Sequence, residues 1–165
     1  MSFIIRHGDK KDVPGIMKLV RELAEFERAP EAVVNTEEML LHDGFGKNPL
    51  YKVIIAEAYD TNEVIGMALY YTAYSTWKGK MLFLDDLVVT ESYRRYGIGR
   101  KLINEFLLDA KEQGVNQIRW QVLNWNTPAI EFYNSLGVEM DAEWITVKMS
   151  KEQIATAVSA GASRH

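Results

Sequence analysis

At 165 residues, with 47% hydrophobic and 25% charged, the chain is long enough to bury a proper core and reads as one soluble globular domain. A net charge of −4 argues against a nucleic-acid partner held through phosphate contacts, and the lack of cysteine excludes disulfides, thiolate metal sites and a cysteine acyl-enzyme. The first residues carry no signal-peptide pattern and no apolar run approaches about 18 residues, so the expectation is a cytoplasmic protein without a membrane partner.

In chain order, Phe3 to Arg6 reads as a short strand. Asp12 to about Arg28 reads as a helix with Pro14 in its first turn; Ile16, Leu19, Val20, Leu23 and Phe26 recur at helical spacing, and Pro30 ends it. Thr36 caps a second helix that Asp43-Gly44 closes. Tyr51–Tyr59, Val64–Tyr71 and Lys80–Val89 follow as three strands joined by short loops, an antiparallel meander. Ile98 to Gln113 is the clearest helix, with Ile98, Leu102, Ile103, Phe106, Leu107 and Ala110 as one apolar stripe and Gly114 as its stop. Gln117–Leu123 is a strand. Asn126-Thr127-Pro128 opens a helix through Ala129, Ile130, Tyr133 and Leu136, with Pro128 at its first position, and Gly137 ends it. Trp144–Met149 alternates like a last strand, and the tail over 151–165 ends in small and polar residues that fray. Residues 1–150 thus form one α/β domain with a mixed sheet.

The densest chemistry lies between the third meander strand and the long helix. Asp85-Asp86-Leu87-Val88-Val89 runs into Tyr93-Arg94-Arg95-Tyr96-Gly97-Ile98-Gly99-Arg100. A strand entering an arginine- and glycine-rich turn that opens a helix presents backbone N–H groups and cations to an anion, and suits a diphosphate. A dinucleotide fingerprint needs glycine where Leu102 stands, and no Gly-Lys-Ser/Thr run follows. By itself the short pattern is weak, and a surface turn capping a helix is the alternative reading of it.

The run Arg94-x-x-Gly97-x-Gly99 resembles the acetyl-CoA pyrophosphate loop of the GNAT superfamily of N-acetyltransferases. Within it the chain is similar to the spermidine/spermine (diamine) and thialysine N-acetyltransferases, through Glu22-Leu23-Ala24-Glu25-Phe26-Glu27, Asp43-Gly44-Phe45-Gly46, Ala68-Leu69-Tyr70-Tyr71, Leu84-Asp85-Asp86 and Trp125-Asn126-x-Pro128-x-Ile130-x-Phe132-Tyr133. The resemblance runs from about Phe3 to Met149 and rests on these separated runs. The resemblance implies a sheet that splays beside the third meander strand to admit the pantetheine arm of acetyl-CoA. It implies backbone pairing of that arm with Leu87, Val88 and Val89, a pyrophosphate surrounded by Arg94, Arg95, Tyr96, Gly97, Ile98, Gly99 and Arg100, and a CoA arm bordered by Asn126, Thr127, Pro128 and Ala129. No metal is implied.

The chemistry is attack of an amine on a thioester. A primary alkylamine has a pKa of about 10, so freeing it at neutral pH costs about 4 kcal/mol and needs a proton acceptor. Asp85 and Asp86 are candidates, and regular strand alternation sends them to opposite faces. The resembled diamine enzymes hold a glutamate at the position of Asp85, acting as base through ordered water; the aspartate reaches about 1.5 Å less, which favours a water relay. Both are also explained as a solvated strand edge or as caps. Tyr133 is the general acid implied by the resemblance, against a packing role for a helical tyrosine. Phe26 and Glu27 are implied at the distal amine, and Glu143-Trp144 as an acidic-aromatic pair near the site, although a solvated helix end also explains Glu27. His7, His42 and His165 are placed poorly for a histidine mechanism. The resulting expectation is acetyl transfer from acetyl-CoA to a primary amine of a polyamine, diamine or thialysine-like substrate by a homodimer, with Tyr70, Tyr71, Tyr74 and Trp77 available for its contact or for the core. A non-catalytic acyl-CoA-binding module and an enzyme acting on a protein amino group are the alternatives.

Overall fold

The computed structural model describes residues 1–162. It divides into two compact units, Met1–Gln121 and Val122–His165. No change of composition marks this boundary in the sequence.

The first unit holds the sheet. Its strands are β1 (Phe3–His7), β2 (Lys52–Ala58), β3 (Val64–Ser75), β4 (Gly79–Val89) and β5 (Gln117–Trp120), in that spatial order. The first four are antiparallel neighbours, so the meander is present and β1 extends it; β5 lies parallel to β4. The helices are α1 (Val13–Phe26), α2 (Glu37–Phe45) and α3 (Ile98–Glu112).

Helical spacing in α1 buries Ile16, Met17 and Leu19 against Val53, Ile55, Met67, Leu69 and Val88. On the opposite face of the sheet, Tyr70 sets its ring 5.0 Å from that of Phe106 in α3, and Ile98, Leu102 and Ile103 are buried with it. With both faces covered, β2 and the first part of β3, Val64 to Tyr70, read as continuous apolar runs, while Tyr71 to Ser75 alternate. Tyr70 is therefore core, fully buried with its hydroxyl donating to Asp109, and is not an exposed contact aromatic. Leu107, expected in the apolar stripe, is 39% exposed at its edge.

Two boundaries differ for local reasons. α1 ends at Phe26, before Pro30 is reached, because Arg28 turns left-handed at φ 60°. α2 starts from the expected cap, with Thr36 Oγ1 accepting from Met39 N at 3.2 Å, but runs on through Asp43-Gly44. Gly44 serves close packing rather than termination: a Cβ there would stand 2.2 Å from the Tyr51 ring, which approaches to donate its hydroxyl to Leu40 O at 2.7 Å.

The second unit contains α4 (Thr127–Asn134) and α5 (Lys151–Ala162). Thr127 takes the first position of α4, placing Pro128 second. The expected strand Trp144–Met149 is not formed. Trp144, Ile145 and Val147 are 79%, 86% and 87% exposed. Strand propensity needs a ladder and a covered face to take effect, and the described residues supply neither there. The tail expected to fray is instead helical through residue 162, because Ser150 and Gln153 form a capping box: Gln153 N donates to Ser150 Oγ at 3.1 Å and Ser150 N to Gln153 Oε1 at 2.7 Å. Ser163, Arg164 and His165 lie outside the described residues.

Candidate active site

β4 organises the site through one irregularity. Tyr70 pairs with Leu84 and Leu69 with Asp86, leaving Asp85 as an extra residue opposite no partner. Such a bulge switches which residues share a face. Before it, Leu84 lies across from Tyr70 on the α3 side; after it, Asp86 and Val88 lie across from Leu69 and Met67 on the α1 side. Simple alternation at Asp85-Asp86 therefore does not hold. The bulge turns Asp86 toward the face on which α1 packs, and its carboxyl comes within electrostatic reach of Glu27, which follows the last residue of α1.

Three carboxylates gather here. Asp86 is pushed up to about 7, by burial first and then by Asp85 and Glu27. Glu27 is raised by burial and by Asp85. Asp85 is exposed by surface area, yet the protein atoms crowding its carboxyl group desolvate it enough to raise its pKa. Tyr71 belongs to the same cluster: its hydroxyl is raised by burial and by Asp85, and its ring stacks on Phe83 at 5.4 Å. The sequence assigns Tyr71 no role at the site, since only the register across the bulge brings it beside Asp85.

The sheet opens at the same place. β5 pairs with β4 from Met81 to Leu84 and goes no further, while β4 continues through Val89. Past Leu84, the β4 edge lacks a β5 neighbour, and an extended ligand arm can pair with Leu87, Val88 and Val89 as an added strand.

Downstream, a single turn over Glu91–Tyr93 leads to the exposed Arg94, Arg95 and Tyr96 and into α3. Gly97 is the N-cap of α3 at φ 78°, and no side chain caps the helix. The leading N–H groups of a 15-residue helix thus stand beside a loop bearing Arg94 and Arg95, with Arg100 in the first turn of the helix itself. A Cβ at Gly97 would meet nothing within 4 Å, and one at Gly99 only Val89 Cγ2 at 4.0 Å. Space at glycine, uncapped donors and cations fit a diphosphate, and so fit the CoA pyrophosphate. Arg94 is exposed but folded back on the protein: its Nε donates to Val89 O at 3.1 Å and its guanidinium lies 5.5 Å from the centre of the Phe26 ring.

In the second unit, Asn126 Oδ1 accepts from Ala129 N at 3.3 Å and starts α4, with Thr127 and Pro128 in its first turn. Tyr133 is 7% exposed, its ring 5.5 Å from that of Phe132, and burial pushes its hydroxyl up to about 12. It is a proton holder at neutral pH. Glu143 and Trp144 lie in the irregular segment after α4, where Glu143 N donates to Asp141 Oδ1 at 3.0 Å.

Residues 16–138 match the model of the acetyltransferase (GNAT) family. The chain is 40% identical over 146 residues to a thialysine N-epsilon-acetyltransferase of Bos taurus, covering 84% of this chain and 86% of that protein. It is 35% identical over 160 residues to spermidine/spermine N(1)-acetyltransferase-like protein 1 of Homo sapiens, covering 92% of this chain and 23% of that longer protein. In fold it is similar to an integron cassette protein from the mobile metagenome of V. cholerae, with a TM-score of 0.76 and 23% identity over 96% of this chain and 98% of that one. An open β4 edge that runs into an uncapped, glycine-led helix is thus found in a chain whose sequence matches this family over most of its length, and the protein belongs to the GNAT family of N-acetyltransferases.

Proposed function

We propose that the protein transfers the acetyl group of acetyl-CoA to a primary amine of a small polycationic or aminoalkyl substrate, a polyamine, diamine or thialysine-like molecule. The observation that carries this reading is the gathering of Glu27, Asp85 and Asp86 where β4 loses its β5 partner, on the strand that feeds the phosphate loop. Clustered carboxylates raised by burial favour a cation that neutralises them. The thialysine and spermidine/spermine relatives support the same class of amine.

Acetyl-CoA, the co-substrate of this family, supplies the activated thioester. Its arm is assigned to Leu87–Val89, its pyrophosphate to Arg94–Arg100 and the remainder to Asn126–Ala129. Asp85 takes the ammonium proton, directly or through water, and Asp86 titrates with it as a coupled pair. Glu27 with Phe26, and Glu143 with Trp144, hold the distal charge. Tyr133 keeps a proton at its hydroxyl for the departing thiolate. Residues 1–150 act as one catalytic domain in this reading, in a cytoplasmic homodimer to which Tyr74 and Trp77, 78% and 84% exposed beside the β3–β4 turn, contribute. No helix among the described residues is long and apolar enough to cross a membrane.

Thiol release from acetyl-CoA, with spermidine, putrescine, thialysine and lysine supplied in parallel, tests the reading. Saturable turnover with one of these amines is expected. Acetyl-CoA binding without acetylation of any amine on a broadened panel would instead favour a non-catalytic acyl-CoA-binding module.

A further inference from the structure

Arg94 and Phe26 join two parts of the first unit that the sequence leaves 68 positions apart. The guanidinium lies 5.5 Å from the ring centre, in the range where a cation is attracted to an aromatic face. The same guanidinium donates to Val89 O at 3.1 Å, so it is held at two points, the end of β4 and the last residue of α1. One turn earlier on α1, Glu22 Oε2 accepts from Thr90 Oγ1 at 2.8 Å. Glu22 and Phe26 are four residues apart and share a helix face. The segment leading into the phosphate loop is thus fastened to α1 at Thr90 and again at Arg94. The next residue, Arg95, has φ 67°, a conformation that a non-glycine residue keeps where its surroundings restrain it. The residue after Phe26 is Glu27, one of the three gathered carboxylates.

We infer that Arg94 is a positioning residue, a latch on the Phe26 ring that couples the acetyl-CoA loop to the end of α1 carrying Glu27. This rests on the reading of the two sites given under Proposed function. A loop held in shape by the latch meets the diphosphate with its N–H groups already arranged. A diphosphate that orders the loop in turn fixes the ring and the carboxylate beside it. The coupling is reciprocal, so amine must tighten acetyl-CoA by the factor by which acetyl-CoA tightens amine.

The test uses the full chain and CoA, with affinity read by calorimetry in the absence and presence of saturating amine. Phe26 is 38% exposed and Arg94 is exposed, so substitutions at either leave the core intact. Phe26→Leu keeps an apolar side chain and removes the aromatic face; it is expected to weaken CoA about two- to fivefold, the range for an exposed cation–aromatic contact. Phe26→Tyr keeps the face and, in the absence of amine, should recover the CoA affinity that Phe26→Leu loses. Arg94→Gln should weaken CoA in the parent but less in the Phe26→Leu background, and the amine-dependent tightening should shrink in both single variants. An unchanged CoA affinity in Phe26→Leu, or losses that simply multiply in the double variant, overturns the latch while leaving the enzyme reading in place. A parent chain that binds no CoA overturns both.

Discussion

Asp86 stands on the α1 side of the sheet, where burial and the charges of Asp85 and Glu27 act on its carboxyl. Its pKa of about 7 lies above the ordinary aspartate value of 3.8, so the native state holds a proton that the unfolded chain has released. Stability is therefore full below the unfolded value and falls as pH rises toward about 7. Asp86→Asn removes this loss: its melting temperature should gain on the parent between pH 4 and pH 7 and hold the gain above, at the cost of a higher KM for the amine. Thermal melts across that range check the sign, and a gain confined to acid pH would contradict it. Asp85→Asn should lower turnover most at neutral pH, and an unchanged pH–rate profile would remove Asp85 as the base. Tyr133→Phe should keep CoA affinity and lose about 10²-fold or more in kcat, the usual scale for a general acid; unchanged turnover would leave Tyr133 with packing alone. All three residues were legible in the sequence as candidates. Tyr71 was not, because its closeness to Asp85 depends on a register that a bulge sets.

Among the elements, α3 and its approach carry the cofactor argument, and their two glycines separate by mechanism. Gly97 sits at φ 78° with open space around it, so Gly97→Ala strains the backbone and should cost about 1 kcal/mol of stability. Gly99 has no positive φ and is open to within 4.0 Å of Val89, so Gly99→Val should fold normally and weaken CoA by at least tenfold because its branches occupy the diphosphate's space. Melting and CoA titration of the two variants distinguish shape from space. At the other end of the chain, Ser150→Ala should fray α5, costing that helix about 1 kcal/mol, with little effect on turnover. Elements with one strong signal were readable: apolar periodicity in α1 and α3, and an amide cap at Asn126. Trp144–Met149 misleads because its alternation is genuine but its ladder is missing among the described residues. The α5 helix was missed because small residues suggest fraying, while the deciding signal was the Ser150–Gln153 box.

For the whole molecule, CoA binding should appear as stabilisation. At a hundredfold excess over Kd a ligand specific to the native state adds about 2.7 kcal/mol, so the melting temperature should rise with CoA concentration and level off for no other reason than solubility. A melt indifferent to CoA would remove the cofactor assignment. The sequence by itself determined the class of fold, the meander, the arginine- and glycine-rich turn before the long helix and the adjacent pair of aspartates, since these follow from local periodicity, turn chemistry and residue type. Only the tertiary structure decided that the bulge at Asp85 turns Asp86 toward the end of α1, that β5 pairs with β4 only as far as Leu84, and that Arg94 folds back onto Phe26. Each of these depends on which strands and helices meet. Register, burial and charge coupling are properties of those meetings and are written in no single segment of the chain.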